Sequence, residues 1–217
     1  MSITDMNQPL RFIWYNVLVR FVVLVCIGIN VRHRQRLPFK GPAIIVANHN
    51  SHLDTMVLMS LFSPRLLQHI RPVAASDYFL KNKYLAWFST NVIGIVPLDR
   101  TPVRGVDIFS GIHDALSKGQ ILIMFPEGSR GEPEKMVRLK QGVARVVEAN
   151  PHVPVVPVYL RGLGKSLPKG EAIFVPFVCD VFIGQAIAFA GDRRDFTEVM
   201  GEALQDLSDE APPAEWS

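Results

Sequence analysis

The sequence predicts an α/β fold, a mixed and largely parallel sheet flanked by helices, and three observations carry that prediction. Short apolar runs alternate with segments of helical period along most of the chain. Two of these runs, AIIVA at 43–47 and ILIMF at 121–125, are apolar at every position, as strands covered on both faces are. Polar loops, NHNSHLD, PLDR and PEGSRG, leave the ends of three runs, where open α/β sheets bind their ligands.

The first element is an apolar segment. Residues 12–31 read FIWYNVLVRFVVLVCIGINV, interrupted only by Asn16, Arg20 and Asn30, in a chain of 217 residues that is 48% hydrophobic. A spanning helix needs about 20 apolar residues, and Arg20 near the middle is costly there unless it snorkels. Alternatively the helix lies in the interface, with Trp14 and Tyr15 at headgroup depth and Arg20 on the wet side. The expectation is an N-terminal membrane-associated helix of one kind or the other; a hydrophobic helix packed on the soluble core fits the same periodicity. Arg32, Arg34, Arg36 and Lys40 follow at once. They could meet anionic headgroups on the cytoplasmic leaflet or form a solvated charge run. RHRQR stands where a secretory cleavage site would, so no cleaved signal is expected. These features divide the chain into a membrane-associated segment with a basic flank (1–36), one globular domain (37–210) and a frayed tail (211–217).

After Pro38, the strand at 43–47 leads through NHNSHLD into a helix carrying Met56, Val57, Leu58, Leu61 and Phe62, which Ser63-Pro64 ends. A strand at 71–74, a helix at 78–88 and a strand at 92–96 come next. Residues 103–118 have helical period, with Val106, Phe109, Ile112 and Leu116 on one face and Gly119 as the stop. The strand at 121–125 precedes PEGSRGEPEK. Met136, Leu139, Val143, Val146 and Val147 mark a helix, and 153–160 a strand. GLGKSLPKG reads as an exposed loop, AIFVPFVCDVFIGQAI as two short strands, and the chain from Phe196 as a last helix.

Composition narrows the function. A net charge of +3 with no basic stripe interleaved with aromatics argues against nucleic acid as a partner. Cys26 and Cys179 both lie in apolar runs and read as small core residues of a reducing compartment, not as a disulfide.

The chemistry concentrates in residues 48–55, NHNSHLDT. As metal ligands, His49, His52 and Asp54 lack the spacing of a zinc-hydrolase HxHxDH run, and the other histidines supply no second cluster, so no metal site is expected. As a serine-hydrolase elbow, EGSRG has glutamate in the first glycine position. What remains is a general base with an orienting carboxylate. His49 and Asp54 are five apart across a strand-to-helix turn, so the carboxylate can take the imidazole Nδ1–H and leave Nε2 free for a substrate hydroxyl. The same spacing also suits an acid that merely opens a helix.

Further along stand GIVPLDR at 94–100, FPEGSR at 125–130 and VPVVPVY at 153–159. With NHNSHLD these blocks, in this order, resemble the glycerolipid acyltransferase superfamily, whose motifs are NHxSxxD, GxIPxDR, FPEG[ST]R and an apolar block with VP-type prolines. The resemblance implies His49 as general base and Asp54 as its partner. It implies Arg100 as a contact to the acceptor's phosphate, with Gly94 allowing close approach, and Glu127, Gly128, Ser129 and Arg130 as the acceptor-binding loop. Lys140, in LKQG, resembles a lysine that often follows that loop, and Pro157 and its neighbours would shape an acyl-chain channel. One departure concerns the acceptor headgroup: the family often places lysine before the acidic residue ahead of the second block, where this chain has AASDYF.

The implied reaction moves a fatty acyl chain from an acyl thioester, acyl-CoA or acyl carrier protein, to the hydroxyl of a lysophospholipid, foremost 1-acylglycerol-3-phosphate. The alternatives are another lysolipid acceptor, or a lipid thioesterase or hydrolase using the same pair. No cofactor beyond the acyl donor is expected. The implied partners are the two substrates and a membrane lipid surface, and the implied location is the cytoplasmic face of the cell membrane.

Overall fold

The structure is a computed structural model and describes residues 8–51, 53–79, 82–99, 101, 105, 107–129, 137–163 and 178–211. A seven-stranded sheet organises it, with strands β1 (Ile29–Arg32), β2 (Ala43–Ala47), β3 (Ile70–Ala75), β4 (Val96–Leu98), β5 (Ile121–Met124), β6 (Val155–Arg161) and β7 (Cys179–Ile183) in the order β1-β7-β6-β2-β5-β3-β4. Neighbours are parallel except β6 and β7, so the sheet is mixed and largely parallel.

The central strand β2 is buried at every position because both of its faces are covered. Ala43, Ile45 and Ala47 join one core with Ile121, Ile123, Val156 and Val158, against α2 (Leu53–Ser60) and the N-terminal helical segment. Ile44 and Val46 point the other way, to Leu122, Met124 and Val155. There they meet α6 (Ser110–Ser117), α7 (Gly142–Glu148) and α8 (Arg193–Glu210) through Ile112, Leu116, Val143, Val147, Phe196 and Met200. Strand alternation thus builds two cores from one sheet. Helix α8 starts on a capping box, Asp192 accepting from the Arg194 and Asp195 amides while the Asp195 side chain accepts from the Asp192 N–H.

The N-terminal segment is where the structure corrects the reading most. α1 (Gln8–Ile13) continues through two wider-turned stretches, Trp14–Val19 and Val22–Ile27, and Gly28 (φ 71°) ends them. No helix among the described residues is long and apolar enough to cross a membrane. Tyr15, Val19, Val23 and Ile27 lie in the core, so the Tyr15 side chain faces protein, and its hydroxyl donates to the Ile93 carbonyl. Arg20 is half-buried, and its guanidinium donates to the Phe62 carbonyl at 2.6 Å. Residues 29–31, expected as the end of the apolar segment, form with Arg32 of the basic flank the edge strand β1, because β7 offers them a parallel ladder. Arg34 and Arg36 of the basic flank donate to the carbonyls of Leu61 and Ile183, so part of that cluster stitches the edge of the fold.

Other elements move as well. The strand expected at 92–96 begins only at Val96, because helical winding runs on from α5 (Lys83–Phe88) through Ser89–Ile93 until Gly94, at φ 80°, stops it. The helix expected at 78–88 is two pieces, α4 (Ser76–Phe79) and α5, the second starting on Asn82, whose side chain accepts from the Tyr84 N–H. α3 (Pro64–Leu67) has Pro64 in its first turn, where a missing N–H costs nothing. Cys179 is buried in the core. The Cys26 side chain, Lys81, Val103, Val106, Met136, most of the 162–170 loop and residues 212–217 lie outside the described set.

Candidate active site

The turn after β2 is pinned before it reaches its chemistry. Asn48, buried, extends the strand ladder with its side chain, donating to the Leu160 carbonyl at 2.8 Å and accepting from the Leu160 N–H at 2.7 Å. His49 therefore leaves the sheet at a set height between β6 and β5. Its imidazole stacks on Phe125, ring centroids 4.0 Å apart and planes 19° from parallel.

Asp54, the second residue of α2, is fully buried. Its Oδ2 lies 2.9 Å from His49 Nδ1 and also accepts from the Asn50 N–H at 2.7 Å and the Ser51 N–H at 2.9 Å. The expected His–Asp pair is thus assembled, and it is more than a helix-opening acid. One carboxylate oxygen closes the turn through two backbone donors and holds the imidazole edge. With Nδ1 engaged as donor, Nε2 is the nitrogen left to accept a proton.

Glu127 belongs to this assembly in a way the sequence did not indicate. Phe125–Gly128 is a turn closed by the Gly128 N–H on the Phe125 carbonyl, and it places Glu127 beneath His49, 3% exposed, with Oε1 accepting from the His49 N–H at 3.1 Å. Burial pushes its carboxyl up to about 7, the His49 N–H opposes this, and the neighbouring Asp54 charge adds to it. Glu127 grips the His49 turn from below.

Because burial favours the neutral acid, the folded protein holds this proton more tightly than the unfolded chain. The stability Glu127 contributes is full below the ordinary carboxylate range and is lost as pH rises through about 7. Glu127→Gln keeps an acceptor for the His49 N–H and removes the titration. Thermal melts should then show a smaller loss of Tm between about pH 5 and about pH 8 than the wild type does. An unchanged slope would show that Glu127 does not titrate there.

Gly128, at φ 72°, lies against Lys140: a Cβ there would come 2.8 Å from Lys140 Nζ. The Lys140 N–H donates to the Pro126 carbonyl, so the loop and the lysine expected to accompany it are brought together. Ser129 is exposed. Arg100, Arg130 and His52 lie outside the described residues. Gly94 is not beside the pair; it sits at the amino end of β4, where a Cβ would strike the Arg11 and Arg71 side chains. Pro157 is buried in β6 against Gly184.

His49 opens instead on a cavity of about 480 Å³ on the other side of β2. Thr55 and Met56 of α2, Pro72 to Ala75 of β3, Ile93, Ile95, Leu98 and Phe125 line it, Trp14 and Tyr15 contribute from the N-terminal segment, and Asp77, Gly128 and Ser129 lie on its wall. Phe125 and the two N-terminal aromatics are functional candidates that apolar periodicity could not separate from core. No group of three or more His, Cys, Asp or Glu is placed to hold a metal ion among the described residues. A base fixed by a buried carboxylate beside a largely apolar cavity can deprotonate a hydroxyl next to a long hydrocarbon chain.

A family model described as Acyltransferase matches residues 28–161, more than half of the chain and the whole stretch from β1 to β6. The chain belongs to the acyltransferase family. Among its relatives, this acyltransferase-family chain is 33% identical over 145 residues to a chloroplastic 1-acyl-sn-glycerol-3-phosphate acyltransferase of Arabidopsis thaliana, covering 66% of this chain and 38% of that protein. It is 32% identical over 145 residues to a taffazin of Dictyostelium discoideum, covering 61% of this chain and 49% of that one. The chain spans between about a third and a half of the length of these relatives. A crystal structure of a 1-acyl-sn-glycerophosphate acyltransferase from Thermotoga maritima shares the acyltransferase fold, with a TM-score of 0.71 at 21% identity over 99% of this chain and 81% of that one.

Proposed function

We propose that this chain transfers a fatty acyl group from an acyl thioester to the free hydroxyl of a lysophospholipid, foremost 1-acylglycerol-3-phosphate, giving phosphatidic acid. The carrying observation is the His49–Asp54 pair opening on an apolar cavity large enough for an acyl chain. Family membership supports it, as do relatives named 1-acyl-sn-glycerol-3-phosphate acyltransferases.

His49 Nε2 takes the acceptor's hydroxyl proton as its oxygen attacks the thioester carbonyl. A C–O bond forms, the C–S bond breaks, and the imidazolium returns its proton to the departing thiolate. Asp54 stabilises the imidazolium without itself taking the proton. Arg100, Arg130 and Lys140 are proposed to hold the acceptor's phosphate, for which guanidinium forks are suited. The donor is acyl-CoA or an acylated carrier protein.

The N-terminal segment is proposed to seat the protein on the cytoplasmic face of a membrane without spanning it. Phe12, Ile13, Val17 and Phe21 are each more than half exposed while the opposite face of the same segment is in the core. Trp14 packs edge-on against Phe88, 4.8 Å between centroids, bringing this face beside α5, where Tyr84 and Trp87 are exposed. An apolar patch of this kind next to a lipid-sized cavity suits an interfacial helix. A Phe12→Ser, Phe21→Ser pair should lose most flotation with neutral vesicles and stay folded; undiminished flotation would overturn the docking face.

The activity itself is tested by incubating the protein with labelled acyl-CoA and a panel of lysolipids. Label in phospholipid only when acceptor is present is the expected result. Label released as fatty acid regardless of acceptor would make the protein a hydrolase.

A further inference from the structure

Two guanidinium groups converge at the amino end of β3 and β4, away from His49, and the acyl-transfer chemistry uses neither. Arg11, 4% exposed, reaches in from α1 and donates through Nη2 to the carbonyls of Leu67 and Ile70. Arg71, the second residue of β3, lies beside it. The Nη1 atoms of both approach one point, the place where a Cβ on Gly94 would stand. Only a glycine leaves room for the pair, and its φ of 80° turns the chain there.

Like charges in near contact repel, and burial has taken Arg11 out of water and Arg71 partly so. The carbonyl bonds account for Arg11, whose Nε is nonetheless buried without a partner. They do not account for Arg71: among the described residues no carboxylate pairs with either guanidinium, and burial depresses the Arg71 guanidinium below its ordinary value. A dianionic or monoanionic oxygen cluster would neutralise the pair and use the donors that Arg71 and Arg11 Nη1 have left. Arg11 also shares its helix with Leu10, Phe12 and Ile13, all exposed. An anion bound here would lie next to the surface proposed above to rest on lipid.

We propose that Arg71, with Arg11 packed beside it against Gly94, forms a site for the phosphate group of a membrane phospholipid headgroup, distinct from the acceptor site at His49. The lipid assignment rests on the membrane docking proposed above; the phosphate chemistry does not. Basic pockets beside interfacial helices bind lipid phosphates in this way, and the guanidinium fork suits two phosphate oxygens.

The full chain would be measured in two arms. In the first, flotation with phosphatidylcholine vesicles is compared with flotation with the same vesicles containing phosphatidic acid, for wild type, Arg71→Gln, Arg71→Lys and the exposed control Arg65→Gln. Arg71→Gln should lose about fivefold of the gain that phosphatidic acid confers, while binding to phosphatidylcholine alone and acyl transfer in detergent stay unchanged. Arg65→Gln should lose clearly less. Equal losses in the two variants, or a full gain kept by Arg71→Lys, would reduce the effect to surface charge and overturn the site.

In the second arm, inorganic phosphate should raise the wild-type Tm above that in chloride of equal ionic strength, and the rise should be smaller for Arg71→Gln, which keeps only the acceptor site proposed near His49; an equal rise in the two would overturn the site. Arg71-dependent phosphate protection with no Arg71-dependent vesicle gain would overturn the lipid assignment and leave a free-phosphate site. No protection and no gain would overturn the site altogether. If wild type floated with no vesicle, the docking reading would fail, and the phosphate arm would still decide the site.

Discussion

His49→Ala should lower acyl transfer by about 10²- to 10⁴-fold, the usual worth of a positioned general base, with little change in the Tm. The imidazole is half-buried and stacks on Phe125 by one face, so its removal opens space toward the cavity without leaving a buried donor or acceptor unpaired on the backbone. The loss should fall on kcat, because in the proposed mechanism Nε2 acts on the hydroxyl proton only as the new C–O bond forms. His52→Ala supplies the comparison in the same assay. His52 occupies a position that the NHxSxxD motif leaves variable, and most activity should remain when it is removed. Equal losses in the two variants would reopen a metal-ligand role for the turn, and transfer that survives His49→Ala would overturn the mechanism.

Asp54→Ala should cost activity and fold together. Its Oδ2 is shared by His49 Nδ1 and by the Asn50 and Ser51 amides, all in a buried setting. Alanine leaves two buried N–H groups without their acceptor, at about 1–3 kcal/mol each, and frees the imidazole to turn. Urea unfolding should show a loss of about 2–5 kcal/mol, and transfer should fall as far as in His49→Ala. Asp54→Asn separates the two effects. The amide oxygen can still accept from the turn, so most stability should return, whereas a neutral side chain cannot stabilise the imidazolium and activity should not. Recovery of activity in Asp54→Asn would show that orientation alone, without charge, is what Asp54 provides.

The legibility of the fold was uneven for physical reasons. β2 and β5 could be read to within a residue because a strand covered on both faces is apolar throughout, as AIIVA and ILIM are. β1 could not: INVR alternates like any edge strand and was hidden at the end of a longer apolar run. β4 was displaced because VIGIV looks extended locally, while the helical winding before it continues until Gly94 can stop it. Such boundaries depend on which neighbour supplies backbone partners.

The site divides in the same way. His49 and Asp54 were readable because both ends of their interaction lie within one turn, so five residues of sequence set the distance between them. The Gly128–Lys140 contact was reachable through the motif that both residues accompany. Glu127 beneath His49, Phe125 against its ring, and Tyr15 in the cavity wall bring together elements far apart in the chain, and only the packing of β5 and the N-terminal helices beside β2 decides them. The N-terminal segment shows this most clearly. Its sequence establishes that the segment must leave water, because so many consecutive side chains are apolar. Whether lipid or protein covers each side is a matter of which residues face the sheet, and the tertiary structure gives Tyr15, Val19 and Val23 to the core while leaving Phe12, Val17 and Phe21 outside. Hydrophobicity is a property of the residue, but burial belongs to the surface that it meets.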